Sequence, residues 1–173
     1  MRKNVLHVNQ GEHAVSDCPE TLITTLLGSC VATCLWDPQA ALGGMNHILL
    51  PDGMGQDLQS RSFGTNAMEL LINDLLRRGA QRARLQAKLF GGARMISGLS
   101  DIGEANSRFV EDFCRREGIP CLASSLGGTQ GRRVQFWPVS GKARQQYLRA
   151  VPDDTAVTLS AKRCSEPSDV ELF

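Results

Sequence analysis

Residues 20–36 read Glu-Thr-Leu-Ile-Thr-Thr-Leu-Leu-Gly-Ser-Cys-Val-Ala-Thr-Cys-Leu-Trp. Glu20 to Leu26 carries leucine, isoleucine and three threonines, a composition that favours an extended strand. Gly28-Ser29 then interrupts the apolar run and predicts a turn. Val31 to Trp36 is short and apolar, and periodicity alone leaves it open between a buried strand and a helical turn. Upstream, Asn4 to Val8 and His13 to Ser16 read as short strands. Downstream, Asp37-Pro38 marks a turn, because a residue before proline avoids the helical region. Gly43 to Leu50 reads as another strand, stopped by Pro51.

Two stretches further on carry the helical period. Met68, Leu71, Ile72, Leu75 and Leu76 fall at i, i+3, i+4, i+7 and i+8, followed by Arg77-Arg78-Gly79 as a cationic last turn and a stop. Ile102, Phe109, Val110 and Phe113 repeat in the same way and end at Arg115, Arg116 and Gly118. Between them, Arg84 to Phe90 alternates apolar and polar residues as a half-buried strand does. From Cys121 to Lys162 the pattern returns to strands, with turns at Gly127-Gly128 and Ser140-Gly141. Strands, two helices and further strands predict a layered α/β or α+β domain. Residues 1–163 are read as a single domain. The polar, acidic segment 164–173 is expected to be a loose tail.

The length of 173 residues and mass of 18.8 kDa suit one domain with a real core. A net charge of +1 removes the main electrostatic reason to expect nucleic-acid binding. No stretch approaches the roughly 20 apolar residues of a membrane span, and the first ten residues lack the apolar centre of a secretory signal. The six cysteines, Cys18, Cys30, Cys34, Cys114, Cys121 and Cys164, form no repeated CxxC pairs. Reduced thiols in a cytoplasmic protein are the expectation.

The stretch with the most chemical content ends in Gly28-Ser29-Cys30. Such a turn after an apolar strand can leave one thiol at an exposed corner. Were Val31 onward helical, the helix dipole and free N–H groups would favour a thiolate and supply an oxyanion site. A cysteine nucleophile needs a base, and His47 is the natural one, 17 residues later (47 − 30). A threonine from the preceding strand could orient the imidazole. Spacing does not choose between Thr24 and Thr25, since adjacent strand residues face opposite sides. The structural alternative is that a free cysteine is a small buried hydrophobe, the role expected for Cys34, Cys114 and Cys121. A metal site of Cys30, Cys34 and His47 lacks a convincing fourth ligand. Gly91-Gly92 and Gly127-Gly128 match no phosphate-loop pattern and read as tight turns. Arg132-Arg133 reads as a solvated strand edge that could dock an acidic surface.

The motifs resemble those of the CheD family, receptor-modifying enzymes of chemotaxis. They are Leu27-Gly28-Ser29-Cys30-Val31-Ala32, Gly44-Met45-Asn46-His47 with Leu50-Pro51, Ala67 to Leu75, and Lys88-Leu89-Phe90-Gly91-Gly92-Ala93. Ile102-Gly103-Glu104 with Asn106, and Leu126-Gly127-Gly128-Thr129 with Gly131-Arg132-Arg133-Val134, complete the series. They run in family order from about Gly11 to Leu148. His13 stands where an aromatic residue is common, and Ala105 where arginine is frequent. The resemblance implies a layered α/β (α+β) sandwich of packed mixed sheets with two helices outside. It implies deamidation of glutamines on the cytoplasmic coiled coil of methyl-accepting chemotaxis receptors, with ester hydrolysis as a related activity. The implied catalytic set is Cys30, His47 and, six residues before the cysteine, Thr24. Gly28, Ser29 and Asn46 are implied as oxyanion or supporting residues. No cofactor, metal, nucleic acid or membrane insertion is implied. A CheC-type phosphatase is a further implied partner, a non-catalytic regulator is the alternative role, and a monomer is expected.

Overall fold

Every residue of Val31–Asp37 is buried, so this segment has no exposed face to reveal its period. It is a strand, and the layers on either side of it explain the fold. The computed structural model describes residues 4–51, 58–95, 101–149 and 170–173. In chain order these form β1 (Asn4–His7), β2 (His13–Ser16), β3 (Thr21–Leu27), β4 (Val31–Asp37), β5 (Leu42–Asn46) and α1 (Leu58–Arg77). A single 3₁₀ turn (Arg82–Arg84) leads to β6 (Gln86–Gly91), α2 (Ile102–Arg116), β7 (Cys121–Leu126), β8 (Arg132–Trp137), β9 (Lys142–Tyr147) and β10 (Val170–Leu172).

The strands make two five-stranded mixed sheets. The first has the order β1-β3-β8-β9-β10 and the second β2-β5-β4-β6-β7. Among the described residues, only β1–β3 and β6–β7 are parallel pairs. Residues of β4 divide by parity. Val31 and Leu35 point to the helices, whereas Ala32, Cys34 and Trp36 point to the first sheet. The chain is thus an α+β sandwich of three layers: helices, second sheet, first sheet.

Both expected helices form. In α1, Met68, Leu71, Ile72 and Leu75 are wholly buried, and each is worth about 2 kcal/mol of apolar burial. In α2, Phe109, Val110 and Phe113 are buried, and the Asp101 carboxylate caps the first turn by accepting from the Glu104 N–H at 2.9 Å. A buried carboxylate ties the far end together. Asp37 pairs with Arg84 at 2.7 Å and accepts from the N–H groups of Gln39, Ala40 and Gln81. Burial acts to raise the Asp37 pKa, but these partners hold it down at about 2.

Two expectations are corrected here. Arg132 is no solvated edge: β8 is the middle strand of the first sheet, and Arg132 is 1% exposed. The end of the expected loose tail is ordered as well. β10 pairs with β9, Phe173 exchanges backbone hydrogen bonds with Ala143, and its ring meets Phe90 edge-on at 5.6 Å. The apolar Phe173 ring supplies the burial that a polar tail lacks. Residues 164–169 lie outside the described residues.

Candidate active site

Cys30 sits in the turn between β3 and β4, half-buried at the rim of the core between the sheets. Because β4 is a strand, no helix N-terminus stands behind the thiol, and the expectation built on a helix dipole is withdrawn. Backbone contacts hold the turn instead. The Gly92 N–H donates to the Cys30 carbonyl at 2.8 Å and the Ala93 N–H to the Gly28 carbonyl at 2.9 Å. Gly91 has φ +111° and Gly92 φ +66°, and a Cβ on Gly91 would collide with the Cys30 carbonyl. Only glycine permits both the backbone angle and this approach.

A third clamp comes from α2. The buried Asn106 amide donates to the Ser29 carbonyl at 2.8 Å and accepts from the Leu50 N–H at 3.0 Å. It ties the Cys30 turn to the segment just after His47. Among the described residues the Ser29 N–H has no acceptor, and the Cys30 N–H lies beside its own sulfur.

The β4–β5 register brings His47 to the same face. Cys34 pairs with Met45, and the same register continues to the bridge between Val31 and Ile48. Ala32 therefore stands opposite His47, and Cys30 is its diagonal neighbour. Such neighbours lie about 7–8 Å apart at Cα, within reach of long side chains. Small Ala32 leaves room between them.

The tautomer of His47 follows from hydrogen-bond accounting. His47 Nδ1 lies 2.9 Å from Thr25 Oγ1, and the Thr25 hydroxyl donates to the Val8 carbonyl at 2.7 Å. A hydroxyl has one proton to give. With that proton on Val8, Thr25 accepts from His47, so Nδ1 carries the hydrogen. Nε2 is left with its lone pair; it is buried and has no partner among the described residues. That is the state of a general base.

Thr25, not the expected Thr24, meets the imidazole. Ile23, Thr25 and Leu27 point between the sheets, while Thr24 points to the outer face of β3 and donates to the Val134 carbonyl at 2.8 Å. Asn46 is also displaced from the expected role. One residue from His47 on a strand, it points the other way, under α1, where it contacts Met68 Sδ and accepts from the Thr33 N–H. Gly28 and Ser29 lie in the Cys30 turn. Asn106 was missed as a site residue; it stands 77 residues from Ser29, and only its place in a family motif marked it.

Burial favours the neutral form of both Cys30 and His47. Burial raises the Cys30 thiol, opposed by its own N–H. Burial lowers His47, opposed by the Val8 carbonyl and the Glu12 carboxylate. The other described cysteines are poor nucleophiles or lie elsewhere: Cys34 is wholly buried, and burial first, then Cys121 and Glu111, push Cys114 up to about 12. A cleft of about 420 Å³ reaches His47 and Thr25 and opens on the outer face of the first sheet past Leu26, Arg133 and Gln135.

Fold and site together define a two-sheet α+β protein in which a half-buried thiol and a buried imidazole face the layer between the sheets. The family described as CheD chemotactic sensory transduction matches residues 49–147. A protein of Caulobacter vibrioides (strain NA1000 / CB15N), named "Probable chemoreceptor glutamine deamidase CheD", is 50% identical over 97% of this chain and 92% of its own. One of the same name from Acidiphilium cryptum (strain JF-5) is 52% identical over 97% of this chain and 93% of its own. This chain belongs to the CheD family. Among solved structures, the YlmD protein of Geobacillus stearothermophilus is similar at 12% identity and a TM-score of 0.43, covering 72% of this chain and 60% of that one.

Proposed function

We propose that this protein is a chemoreceptor glutamine deamidase with Cys30 as nucleophile, His47 as general base and acid, and Thr25 as the residue that positions His47. The observation that carries the reading is the arrangement of His47: Nδ1–H donated to Thr25, Nε2 without a partner among the described residues, and the residue itself on the strand face that Cys30 takes by register. The names of the relatives support the substrate class.

In the proposed reaction His47 Nε2 takes the Cys30 proton as the sulfur attacks the side-chain carbonyl carbon of a receptor glutamine. The resulting oxyanion is met by N–H groups of the nucleophile turn, with Ser29 N–H the available donor. The imidazolium then protonates the amide nitrogen and ammonia leaves. Water, deprotonated by His47, attacks the thioester and releases glutamate and the thiol. Thr25 stabilises the imidazolium less than a carboxylate would, so a modest turnover is expected. A glutamyl methyl ester presents the same carbonyl, so ester hydrolysis is part of the proposal. The new carboxylates repel one another in the receptor's helical bundle and bias its signalling state. The enzyme would act in the cytoplasm.

Mass spectrometry of a receptor cytoplasmic fragment tests this. Wild-type protein should add about 1 Da per converted glutamine, the amide-to-acid exchange of acyl transfer, and Cys30→Ala should add none. A folded wild-type protein that binds the fragment and leaves its mass unchanged sinks the reading.

A further inference from the structure

The two outer faces of the sandwich are unlike. α1 packs on β2 and β5, and α2 on β4 and β6, so both helices lie on the second sheet. No described helix covers the outside of the first sheet. Its outward positions are set by parity and register: Val5 and His7 on β1, Leu22, Thr24 and Leu26 on β3, Arg133, Gln135 and Trp137 on β8, Lys142, Arg144 and Gln146 on β9. Leu172 of β10 stands opposite Arg144.

This face has two properties. It is apolar at the surface, with Val5 42%, Leu26 54% and Leu172 78% exposed. It is also of one sign. Among the described residues its outward positions hold Arg133, Lys142 and Arg144, with His7 as a titratable fourth, and no Asp or Glu. Glu171, the acid of β10, instead accepts from the buried Gln145 at 2.9 Å. The helical face has both signs, including the pairs Arg78–Asp74, Arg108–Glu104 and Arg115–Asp112. The cleft that reaches His47 opens on the sheet face, not the helical one.

We propose that the open face of the first sheet is the docking surface for the substrate, and that it selects an acidic, amphipathic helix. The proposal rests on the deamidase reading for the identity of that helix. Five strands about 4.8 Å apart make a platform wide enough for a helix about 10 Å across. Acidic groups of the helix meet Arg133, Lys142 and Arg144, and its apolar stripe meets Val5, Leu26 and Leu172. Like the exposed cations of other interfaces, these would act mainly on encounter and register. A glutamine on the docked helix is then carried along this face to the end of β3, where the Cys30 turn follows Leu26 and Leu27.

The test uses binding and turnover separately. Cys30→Ala protein, with and without Lys142→Glu/Arg144→Glu, is titrated calorimetrically with a receptor cytoplasmic fragment at several salt concentrations. Neither reversed residue lines the cleft. We expect wild-type-face protein to bind more weakly as salt rises, and the reversed face to lose about tenfold or more in affinity with a flattened salt dependence. In the Cys30 background the same reversal should raise KM by a similar factor and leave kcat within about twofold. Lys142→Gln/Arg144→Gln should fall between, which guards against misfolding of the reversed protein. Deamidation with affinity, KM and salt dependence untouched by the reversal overturns the docking surface but not the deamidase. Salt-dependent binding lost on reversal, with no deamidation by wild type, keeps the surface and overturns the deamidase. Binding to phosphatidylglycerol vesicles that is lost on reversal while fragment affinity stays constant assigns the face to a membrane and overturns the proposal.

Discussion

The core between the helices and the second sheet is built from residues such as Val31, Leu35, Leu71, Ile72, Phe109 and Phe113. The core between the two sheets packs Ile23, Leu27, Phe90, Val134 and Phe136 around a very different minority. His47, Arg132 and Gln145 are buried there, and each has one polar atom without a partner among the described residues. Lys88 reaches across the same layer to the Gly141 carbonyl at 2.7 Å, over the Trp36 ring. An unpartnered buried polar atom costs about 1–3 kcal/mol. On the helix side Thr33 Oγ1 is the one such atom among the described residues, so that core supplies stability at lower risk, and the inter-sheet layer spends more of it on buried polar groups. Arg132 shows how the two demands are combined. It is buried without a hydrogen-bonded carboxylate among the described residues, yet its guanidinium donates to the Ser125 and Gly127 carbonyls and lies over Tyr147. It fixes the Gly127-Gly128 turn, whose Gly127 N–H donates to Gly91, next to the clamp on Cys30.

That division is open to attack from both sides. The largest effect belongs to the inter-sheet layer: Cys30→Ala or His47→Ala should reduce kcat/KM by about 10³-fold or more while thermal melting stays close to wild type. Next comes the helix-side core. Leu71→Ala should lower stability by about 3 kcal/mol in denaturant unfolding and leave kcat of the folded protein intact. A fall in kcat matching that of the His47 variant would erase the distinction.

Asn106 spans the two regions, so Asn106→Ala should register in both. It should lower kcat by about tenfold to a hundredfold, since small displacements of a nucleophile are expensive, and should slow alkylation of Cys30 by iodoacetamide. Asn106→Asp, which keeps the acceptor for Leu50 but loses the donor to Ser29, should recover stability better than rate. The adjacent threonines give a finer comparison. Thr25→Val should lower kcat about tenfold, as a lost neutral hydrogen bond of about 1.4 kcal/mol implies, with Thr25→Ser restoring most of it. Thr24→Val should leave kcat within about twofold. Reversed outcomes would return the positioning role to Thr24.

The smallest effects are in pH. His47 is lowered from 6.5 chiefly by burial, so its base form is present at neutral pH and the acid limb of kcat/KM should lie below 6.5. Glu12 opposes that shift, and Glu12→Gln should move the limb slightly lower still. Stability follows the same direction. Groups whose folded pKa is depressed stabilise the fold above their unfolded pKa and lose that contribution as pH falls. For Asp37, lowered from 3.8 to about 2, roughly 2 kcal/mol should disappear between about pH 4 and pH 2. Asp37→Asn should flatten that segment of the stability curve.

Much of this was legible along the chain. Both helices announce themselves because a 3.6-residue period over about three turns needs no knowledge of what it packs against. The Gly-Ser-Cys turn and the later His47 marked the proposed nucleophile and base, since residue type and turn chemistry are local properties. β4 was ambiguous because both its faces are covered, which removes the alternation that identifies a strand. The choice between Thr24 and Thr25, and the fate of Asn46, depend on which side of a strand faces the other sheet. That is a matter of register between segments far apart in sequence, and a shift of one residue inverts it. Arg132 looked like a surface residue until β8 was placed at the centre of its sheet. Asn106 acts on Ser29 across 77 positions. Local composition thus determined which elements form and which residue types carry the chemistry. Only long-range packing decided which of those side chains meet, because burial and hydrogen bonding are settled by neighbours that the chain brings together on folding.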